Sequence, residues 1–240
     1  MAPTLHRGVL ERLGPAIITG AYPPGHVLTL DGLCTEFGVS RTVAREVVQV
    51  LASMGLVESR RRTGVTVQRS ERWNVFDPSV IRWRLDGPER LSQLRQLTEL
   101  RVAVEPLAAA GAARNAGDRQ RKRLVELAAL MEQTGSEGDL DTFLDQDVEF
   151  HRVMLEASGN DMFAGLSDVL EEVLRGRTHH HLMPAHPKAE ARRLHQVVAD
   201  AIAEGEPDVA QAAMTAIVAE VVAEMTRLGD RSDVDPGAAG

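Results

Sequence analysis

Residues 31–67 form the stretch that most constrains the fold of this chain. After Ser40, a suitable helix N-cap, apolar side chains recur at the spacing of one face of an α-helix. Arg41, Thr42 and Arg45 lie in the first turns of this helix, off the apolar stripe or at its edge. A polar helix start of this kind, after a shorter helix and a tight turn, is typical of a helix-turn-helix that docks in the DNA major groove. We therefore predict that Ser40 and these three residues contact DNA.

The residues after this helix predict a two-stranded ribbon. Leu56–Ser59 and Val65–Val67 have strand character, and the turn between them ends at Gly64. This turn is basic and contains Arg60, Arg61 and Arg62. An isolated basic turn is usually a solvated loop, but after a helix-turn-helix it suits phosphate contact or minor-groove insertion. The pattern predicts a winged helix-turn-helix, in which the basic turn and Gly64 join the DNA contacts.

Charge is distributed unevenly along the chain. The net charge of −8 would by itself argue against nucleic-acid binding. Residues 1–72, however, contain nine arginines and six acidic residues, which is a net charge of +3, and the remaining residues carry −11. A basic part joined to an acidic part is expected of a DNA-binding domain with an attached regulatory domain. The length of 240 residues is sufficient for two such domains.

The compartment is also indicated by composition. Cys34 is the only cysteine, so no intramolecular disulfide is possible and a reducing cytoplasm is expected. We find no segment that resembles a signal peptide and no apolar run long enough to span a bilayer. Residues 229–240 have the composition of a disordered tail.

Residues 1–70 are predicted to form the DNA-binding domain, which begins with an amphipathic helix that ends before Gly20. A linker is predicted over residues 71–88, with a short helix from Asp77 through Trp83. Its aromatic side chains are more typical of a linker that packs against one domain than of contacts with DNA bases.

From Glu89 to residue 228 the pattern is helical throughout, with breaks at glycine, proline and asparagine. The predicted helices lie near residues 89–116, 118–133, 139–158, 161–180, 188–204 and 207–228. Six helices with short connections indicate an all-α antiparallel bundle, in which ligand sites commonly lie among facing helices. The predicted fold class is therefore mainly α, with an N-terminal winged helix-turn-helix and a C-terminal helical bundle.

Asp147 and His151 are four residues apart and project from one face of a predicted helix. Phe150 and Met154 share that face, so both polar side chains point toward the core. A buried carboxylate and imidazole need partners. Two interpretations stay open: a hydrogen-bonded Asp–His pair, and a divalent metal site with His195 as a further candidate ligand.

The N-terminal part resembles the GntR family of bacterial regulators. The resemblance rests on four short stretches: Val39–Arg41, Ala44–Val47, Leu51–Val57 and Gly64–Val67. It implies that Arg41, Thr42, Arg45 and the wing tip contact operator DNA. Where some relatives have a further DNA-contacting arginine in the first helix of the motif, this chain has Asp31. We therefore expect affinity to depend more strongly on the wing arginines.

The C-terminal part resembles the ligand-binding FCD domain of the FadR subfamily, through Glu99–Glu105, Asp147 with Phe150–His151, and Leu194–His195. Many members hold a metal through one aspartate and three histidines, beneath an organic-acid effector. The resemblance implies that Asp147, His151 and His195 bind a divalent metal such as Zn or Ni. Ile217 occupies the position of the fourth histidine, so water or effector oxygens would complete the site.

Three residues are candidates for effector binding. Arg101 matches the position at which FCD domains often hold an effector carboxylate, although a surface salt bridge with Glu105 explains it equally well. Asn160 could donate to a hydroxyl group or serve only as a helix cap. Arg175 is a further polar candidate near a helix end, beside Arg177 and an internal histidine triplet that a solvated helix end also explains.

The linker pattern, with Arg72–Asn74 and Trp83, resembles the galactonate-responsive group of the subfamily, which implies a sugar-acid effector such as D-galactonate. The predicted function is a cytoplasmic homodimeric repressor that an effector releases from a palindromic operator. Other small acids, such as a hydroxy acid or a dicarboxylate, remain alternative effectors. A helical metal-dependent hydrolase is the alternative from another class, although no nucleophile motif or phosphate loop supports it.

Overall fold

The computed structural model describes residues 5–60, 64–179 and 188–234. The chain divides into two compact units, residues 1–90 and 91–240. The N-terminal unit contains, in order, α1 (Leu5–Ile18), β1 (Val27–Leu28), α2 (Leu30–Phe37), α3 (Arg41–Ser53), β2 (Val57–Arg60), β3 (Gly64–Val67), a 3-10 turn (Ser70–Arg72) and α4 (Pro78–Leu85).

Local capping signals define the helix-turn-helix. The Thr29 side chain accepts a hydrogen bond from the Gly32 amide at 3.0 Å and starts α2, and Gly38 ends that helix in the left-handed conformation with φ of 65°. Ser40 then starts α3 by accepting from the Val43 amide at 3.3 Å. These contacts orient α3 directly after the turn and confirm the helix-turn-helix prediction.

The core of this unit is built around α3 and the sheet. Ala44, Val47 and Leu51 of α3 are fully buried and belong to one apolar cluster with side chains of α1, α2 and the strands. The antiparallel sheet has the order β1-β3-β2. Val65 and Val67 alternate inward along β3, which is the pattern of a sheet with one buried face. The predicted wing is therefore confirmed.

The segment predicted as a linker contains α4, which packs on α1. Asp77 caps this helix by accepting from the amides of Ser79 and Val80. Trp83 is buried in the core cluster of the N-terminal unit, and its indole donates to Glu11 at 2.9 Å. The expectation that the linker aromatics pack against one domain is confirmed for Trp83.

The C-terminal unit is helical in the part of the chain that the structure describes. Its helices are α5 (Arg90–Asn115, which begins at the unit boundary), α6 (Asp118–Glu137), α7 (Leu140–Ala157), α8 (Asp161–Ala164), α9 (Ser167–His179), α10 (Ala189–Glu204) and α11 (Pro207–Val234). The mainly α fold class with a helical second domain is confirmed.

Three boundaries differ from the prediction. The helix expected over residues 161–180 is divided into α8 and α9, because the chain turns at Gly165 and Leu166, and Gly165 is a poor helix former. Helix α6 continues to Glu137, since Gly138 and not Gly135 takes the left-handed ending conformation. Helix α11 continues to Val234, so residues 229–234 are helical and not part of a tail, while residues 235–240 lie outside the described residues.

One expectation about apolar segments was wrong. Between Pro207 and Arg227, α11 is long and apolar enough to cross a membrane by length and composition. A single helix of this kind is weak evidence for a membrane span, because core helices of soluble proteins have the same properties. One face of α11 is buried in the apolar cluster of the unit, through Ala210, Met214, Ile217 and Val218.

Candidate nucleic-acid interface and candidate metal centre

Helix α3 presents its predicted DNA contacts on one exposed face. Arg41, Thr42 and Arg45 are all exposed, while the opposite face of the helix is in the core. Gln49, which is not among the predicted contacts, is also exposed, and it lies one turn beyond Arg45. Ser40 is exposed as well, but its hydroxyl is engaged in capping the helix.

Arg41 has an ionic partner in the preceding helix. Its Nε donates to Oδ1 of Asp31 at 2.8 Å, and its Nη2 donates to Oδ2 at 2.8 Å. Asp31 lies in the first turn of α2. Asp31, which stands where some relatives have an arginine, therefore forms a bidentate pair with the first residue of α3.

The wing is described on both sides of its tip. Arg60 pairs with Gly64 in the antiparallel register, and Gly64 has φ of 92°. A Cβ atom at Gly64 would lie 3.0 Å from the carbonyl oxygen of Leu28, so both the backbone conformation and the close approach of β1 favour glycine. Arg61 and Arg62 lie outside the described residues, and their predicted DNA contacts stay predictions.

In the C-terminal unit, the structure brings Asp147, His151 and His195 together in a buried cluster. Oδ1 of Asp147 lies 3.4 Å from Nε2 of His151 and 3.3 Å from Nε2 of His195. Phe150 packs edge-on against both imidazoles and is itself fully buried. The i, i+4 spacing on α7 and the later histidine on α10 therefore meet at one point, as the sequence predicted.

The orientation of both imidazoles leaves their Nε2 atoms directed at Asp147. Nδ1 of His195 lies 2.7 Å from the carbonyl oxygen of Ala191, and Nδ1 of His151 lies 3.3 Å from Oε2 of Glu105. Both outer neighbours are acceptors, which favours a hydrogen on each Nδ1, and a ring with its hydrogen there presents the Nε2 lone pair to the Asp147 carboxylate. When the carboxylate oxygen and the two Nε2 lone pairs face one another, a cation must lie between them, either a proton or a metal ion.

The donor atoms fit a divalent metal. In a tetrahedral site with bonds of about 2.0–2.1 Å, two ligand atoms are about 3.3–3.4 Å apart. The two distances from Asp147 have this value. None of Asp147 Oδ1, His151 Nε2 or His195 Nε2 has a hydrogen-bond partner among the described residues. Ile217, which is buried in the same apolar cluster as Phe150, offers no further ligand atom.

Arg101 and Glu105 extend the cluster along α5. Arg101 Nε donates to Glu105 Oε1 at 2.5 Å and Nη2 donates to Oε2 at 3.1 Å, and the two side chains are 1% and 0% exposed. The salt bridge that the sequence offered as a surface explanation of Arg101 thus exists, but it is buried. Nη1 of Arg101 has no hydrogen-bond partner in the part of the chain that the structure describes.

Ionisation follows these contacts. Burial raises the pKa of Glu105, but Arg101 and His151 outweigh it and lower this pKa to about 2. Burial lowers the pKa of His151, but Glu105 and Asp147 outweigh it and raise this pKa to about 9. Burial raises the pKa of Asp147, but the two neighbouring histidines outweigh it and hold this pKa well below its usual value. Without a metal, His151 therefore holds the proton that the cluster requires.

Arg177 on α9 adds a second guanidinium near Arg101. Burial lowers the pKa of Arg177 to about 10, and the positive charge of Arg101 contributes to that lowering. The nearby carboxylates of Asp147 and Glu105 act in the opposite direction and raise the pKa of Arg177. From the sequence, Arg177 was only one polar candidate among several, because a residue near a helix end carries no local signal that tells toward which part of the domain its side chain points.

The structure does not bring the other two effector candidates to this cluster. Asn160 is exposed and caps α8 by accepting from the Met162 amide at 3.0 Å. Arg175 donates to Glu171 and to Asp145 and is one-third exposed. Of the three predicted effector residues, Arg101 is the one that lies beside the candidate metal ligands.

Comparison with known proteins assigns both units. The FCD domain family matches residues 96–220, and the gntR family of bacterial regulatory proteins matches residues 5–67. The chain belongs to the GntR family and carries an FCD domain. It is a DNA-binding transcriptional regulator and not an enzyme, so the hydrolase alternative is wrong.

Curated relatives of this GntR regulator support the same assignment. It is 30% identical over 168 residues to the galactonate operon transcriptional repressor of Escherichia coli K12. The matched segment covers 70% of this chain and 72% of the relative. It is 32% identical over 209 residues to a putative L-lactate dehydrogenase operon regulatory protein of the same organism. That match covers 82% of this chain and 77% of the relative.

Solved structures show the same fold. A GntR protein of Streptococcus agalactiae matches with a TM-score of 0.51 at 27% identity and covers 90% of this chain and 98% of its own. The protein Lar of Listeria monocytogenes matches with a TM-score of 0.62 at 20% identity and covers 95% of this chain and 99% of its own. At this lower identity the likeness to Lar concerns the fold alone.

Proposed function

We propose that this regulator is a cytoplasmic repressor that a small organic acid, of the sugar-acid class, releases from its operator. The observation that carries this proposal is Nη1 of Arg101, which is buried and has no hydrogen-bond partner among the described residues, beside a cluster that can hold a metal. A buried guanidinium with a free N–H is costly unless a ligand satisfies it. A carboxylate is the ligand that matches it in charge and shape.

The charge around Arg101 favours an anionic effector. Arg177 contributes a second positive charge, and a divalent metal would add two more. A hydroxy acid or an aldonate offers a carboxylate for the arginine and hydroxyl oxygens for a hard or borderline metal. A fatty acyl group would leave these polar atoms unsatisfied. The similarity to a galactonate operon repressor favours an aldonate, and the similarity to a lactate operon regulator keeps a short hydroxy acid as the alternative.

The metal site in this proposal consists of Asp147, His151 and His195, which would hold Zn or Ni. A bound ion would supply a fixed positive charge, and it would bind effector oxygens directly. The chain itself orients both imidazoles, through the Ala191 carbonyl and Glu105. Because Ile217 provides no donor, an ion held by these three residues would have an incomplete protein ligand set, which oxygen atoms of water or of the effector would complete.

Control of DNA binding follows from linkage. A homodimer would place two copies of α3 on the half-sites of a palindromic operator. If the effector binds better to a dimer geometry that fits the operator poorly, DNA affinity falls as the effector concentration rises. Operator DNA must then lower effector affinity by the same factor.

An operator-shift assay tests the effector assignment. The duplex is one obtained by selecting the protein on randomised DNA, and the acids are D-galactonate, L-lactate and succinate. We expect D-galactonate to release the duplex from the wild-type protein and to have no effect on Arg101→Lys, whose ammonium cannot replace the guanidinium fork. Arg175→Lys is the matched control and should respond as the wild type does, since Arg175 is engaged with Asp145 and Glu171. Failure of all three acids to release the wild-type complex would overturn the induction proposal.

Metal content is measured separately. Protein purified without added ions is analysed for bound metal and compared with Asp147→Ala and with Asp145→Ala, which removes an exposed carboxylate from the same helix. We expect near-stoichiometric metal in the wild type and in Asp145→Ala and a large loss in Asp147→Ala. Equal, near-zero content in all three proteins, with no uptake of added Zn, would overturn the metal assignment.

A further inference from the structure

The pair formed by Asp31 and Arg41 lies at the start of two consecutive helices. Asp31 is in the first turn of α2, Arg41 is the first residue of α3, and the turn that contains Gly38 and Ser40 joins them. The two side chains are 74% and 67% exposed, on the part of α3 that also presents Thr42 and Arg45. A carboxylate is therefore exposed beside Arg41, on a surface whose partner, DNA, is a polyanion.

Exposure argues that this pair has little to do with folding. Ion pairs between exposed side chains contribute little to stability, because solvent screens them and ordering two long side chains costs entropy. An acidic residue in the first turn of a helix does interact favourably with the helix dipole, but any acidic residue there would do so. Neither effect requires that both oxygens of the carboxylate accept hydrogen bonds from one arginine.

The geometry of the pair leaves a specific part of Arg41 available. A guanidinium has five N–H donors in a planar fork. The Asp31 carboxylate occupies the side of the plane formed by Nε and Nη2, where Nε lies 2.8 Å from Oδ1 and Nη2 lies 2.6 Å from Oδ1 and 2.8 Å from Oδ2. Three donors remain, and they include the terminal edge formed by Nη1 and the second hydrogen of Nη2. That edge can bind two acceptors side by side, as O6 and N7 of guanine are arranged in the major groove.

We propose that Asp31 is a specificity-determining residue, which holds Arg41 for reading a guanine and prevents it from binding phosphate. A phosphate near Arg41 would also be near the Asp31 carboxylate, and the two anions repel each other. The edge of a guanine carries no net charge and avoids that repulsion. Asp31 thus lowers affinity for DNA in general and preserves affinity for the correct base. The inference rests on DNA binding by the N-terminal unit and is independent of the effector and the metal.

The experiment uses the full-length chain as wild type, Asp31→Asn, Arg41→Ala and the double variant Asp31→Asn/Arg41→Ala. Each protein first selects from a library of randomised duplexes, which yields a preferred sequence. Affinity is then measured for that duplex, for a scrambled duplex and for duplexes in which single guanines are replaced by 7-deazaguanine. All measurements are repeated over a range of salt concentrations, since phosphate contacts set the salt dependence.

One guanine position in each half-site should be read by Arg41. When 7-deazaguanine replaces the guanine at this position, we expect the affinity of the wild type to fall about tenfold or more. The affinity of Arg41→Ala should not change with that replacement. Asp31→Asn should bind the scrambled duplex more tightly, with a slope of log affinity against log salt that is steeper by about one. Its ratio of specific to scrambled affinity should fall by about tenfold, because Arg41 gains an alternative partner. In the Arg41→Ala background, Asp31→Asn should leave that ratio unchanged.

The controls separate this proposal from simpler effects. Glu71→Gln removes one negative charge elsewhere in the same unit and should leave the specificity ratio unchanged if net charge is not the cause. Arg45→Ala reports whether α3 contacts DNA at all, so its failure to weaken binding would question the interface and not the role of Asp31. A wild-type specificity ratio and salt slope in Asp31→Asn would overturn the proposal. So would an equal effect of Asp31→Asn with and without Arg41.

Discussion

Oε2 of Glu105 lies 3.3 Å from Nδ1 of His151 and also accepts a hydrogen bond from Arg101. One buried carboxylate thus connects the arginine proposed to bind the effector with a proposed metal ligand. Partners that contact the outer nitrogen of a metal-binding histidine orient the ring and strengthen it as a ligand. This arrangement provides a short physical path by which effector and metal binding can influence each other.

Replacement of Glu105 by glutamine should be strongly destabilising. It leaves the charge of Arg101 buried without the carboxylate that pairs with it, and the removal of one partner from a buried ion pair typically costs about 3–5 kcal/mol. Glu149 also binds an arginine, Arg123, through both oxygens, but the two side chains are 33% and 37% exposed. Glu149→Gln is therefore the matched control and should cost at most about 1 kcal/mol. Urea denaturation measures both values, and equal losses in the two variants would contradict the importance of the buried link.

The raised pKa of His151 predicts how the metal-free protein responds to pH. Its value in the folded state is about 9, against 6.5 for an unperturbed histidine. The stability that the bound proton contributes is fully present below pH 6.5 and is lost as the pH rises through about 9. Melting temperatures measured with a chelator should therefore fall over this interval.

Added Zn should change that pH response. The metal replaces the proton on the imidazole, so binding releases protons and strengthens as the pH rises. The melting temperature of the Zn-loaded protein should then hold or increase between pH 6.5 and pH 9, opposite to the trend with chelator. A metal-free protein that melts at the same temperature at both ends of this interval would show that His151 is not protonated in the cluster.

The winged unit could be predicted closely from the sequence because its signals are local. Ser40 caps its own helix, Gly38 ends the helix before it, and the valines of β3 alternate with polar residues. The divided helix at Gly165 was missed, since its neighbours continue an apolar helical pattern. Capping by a side chain is therefore more predictable than an interruption that depends on how the chain packs.

The buried cluster could be predicted only in part. Asp147 and His151 share one helix face by spacing, and His195 was a separate candidate that the family resemblance joined to them. The contact of Glu105 with His151 depends on how α5 lies beside α7, and no pattern within either helix encodes it. For the same reason the pairing of Asp31 with Arg41 was not foreseen, although both residues had been noted.

Substitution of Ile217 by histidine should increase metal affinity. From the family resemblance, Ile217 is predicted to occupy the position of the fourth histidine, and its side chain is buried in the same apolar cluster as Phe150. A further protein ligand should raise Zn affinity by about tenfold or more, and the variant should be less stable than the wild type without metal, because it buries a polar ring. Calorimetric titration with Zn measures the affinity. The same substitution in Asp147→Ala protein tests whether the new histidine acts in this cluster, and unchanged affinity in the wild-type background would place Ile217 outside it.

Arg45→Ala should remove specific DNA binding without affecting the fold. The Arg45 side chain is exposed, one turn after Arg41, so its loss leaves no cavity and no unpaired partner in the core. Loss of a base contact costs about 1–3 kcal/mol, and loss of a phosphate contact reduces the salt slope by about one. Arg152→Ala, which removes an exposed arginine from the C-terminal unit, is the control. Wild-type operator affinity in Arg45→Ala would contradict the assignment of the recognition face.

Two glycines of α1 should respond in opposite directions to alanine. A Cβ atom at Gly14 would overlap the Trp83 ring, whereas a Cβ atom at Gly8 would meet nothing within 4 Å. Gly14→Ala should therefore displace α4 and cost about 1–3 kcal/mol, as overpacking of a core does. Gly8→Ala should stabilise the helix by about 0.5–1 kcal/mol, since alanine loses less backbone entropy. Both tryptophans lie in the N-terminal unit, so their fluorescence during urea denaturation reports this unit directly. Equal stability of the two variants would show that Gly14 is not the contact point of α4 on α1.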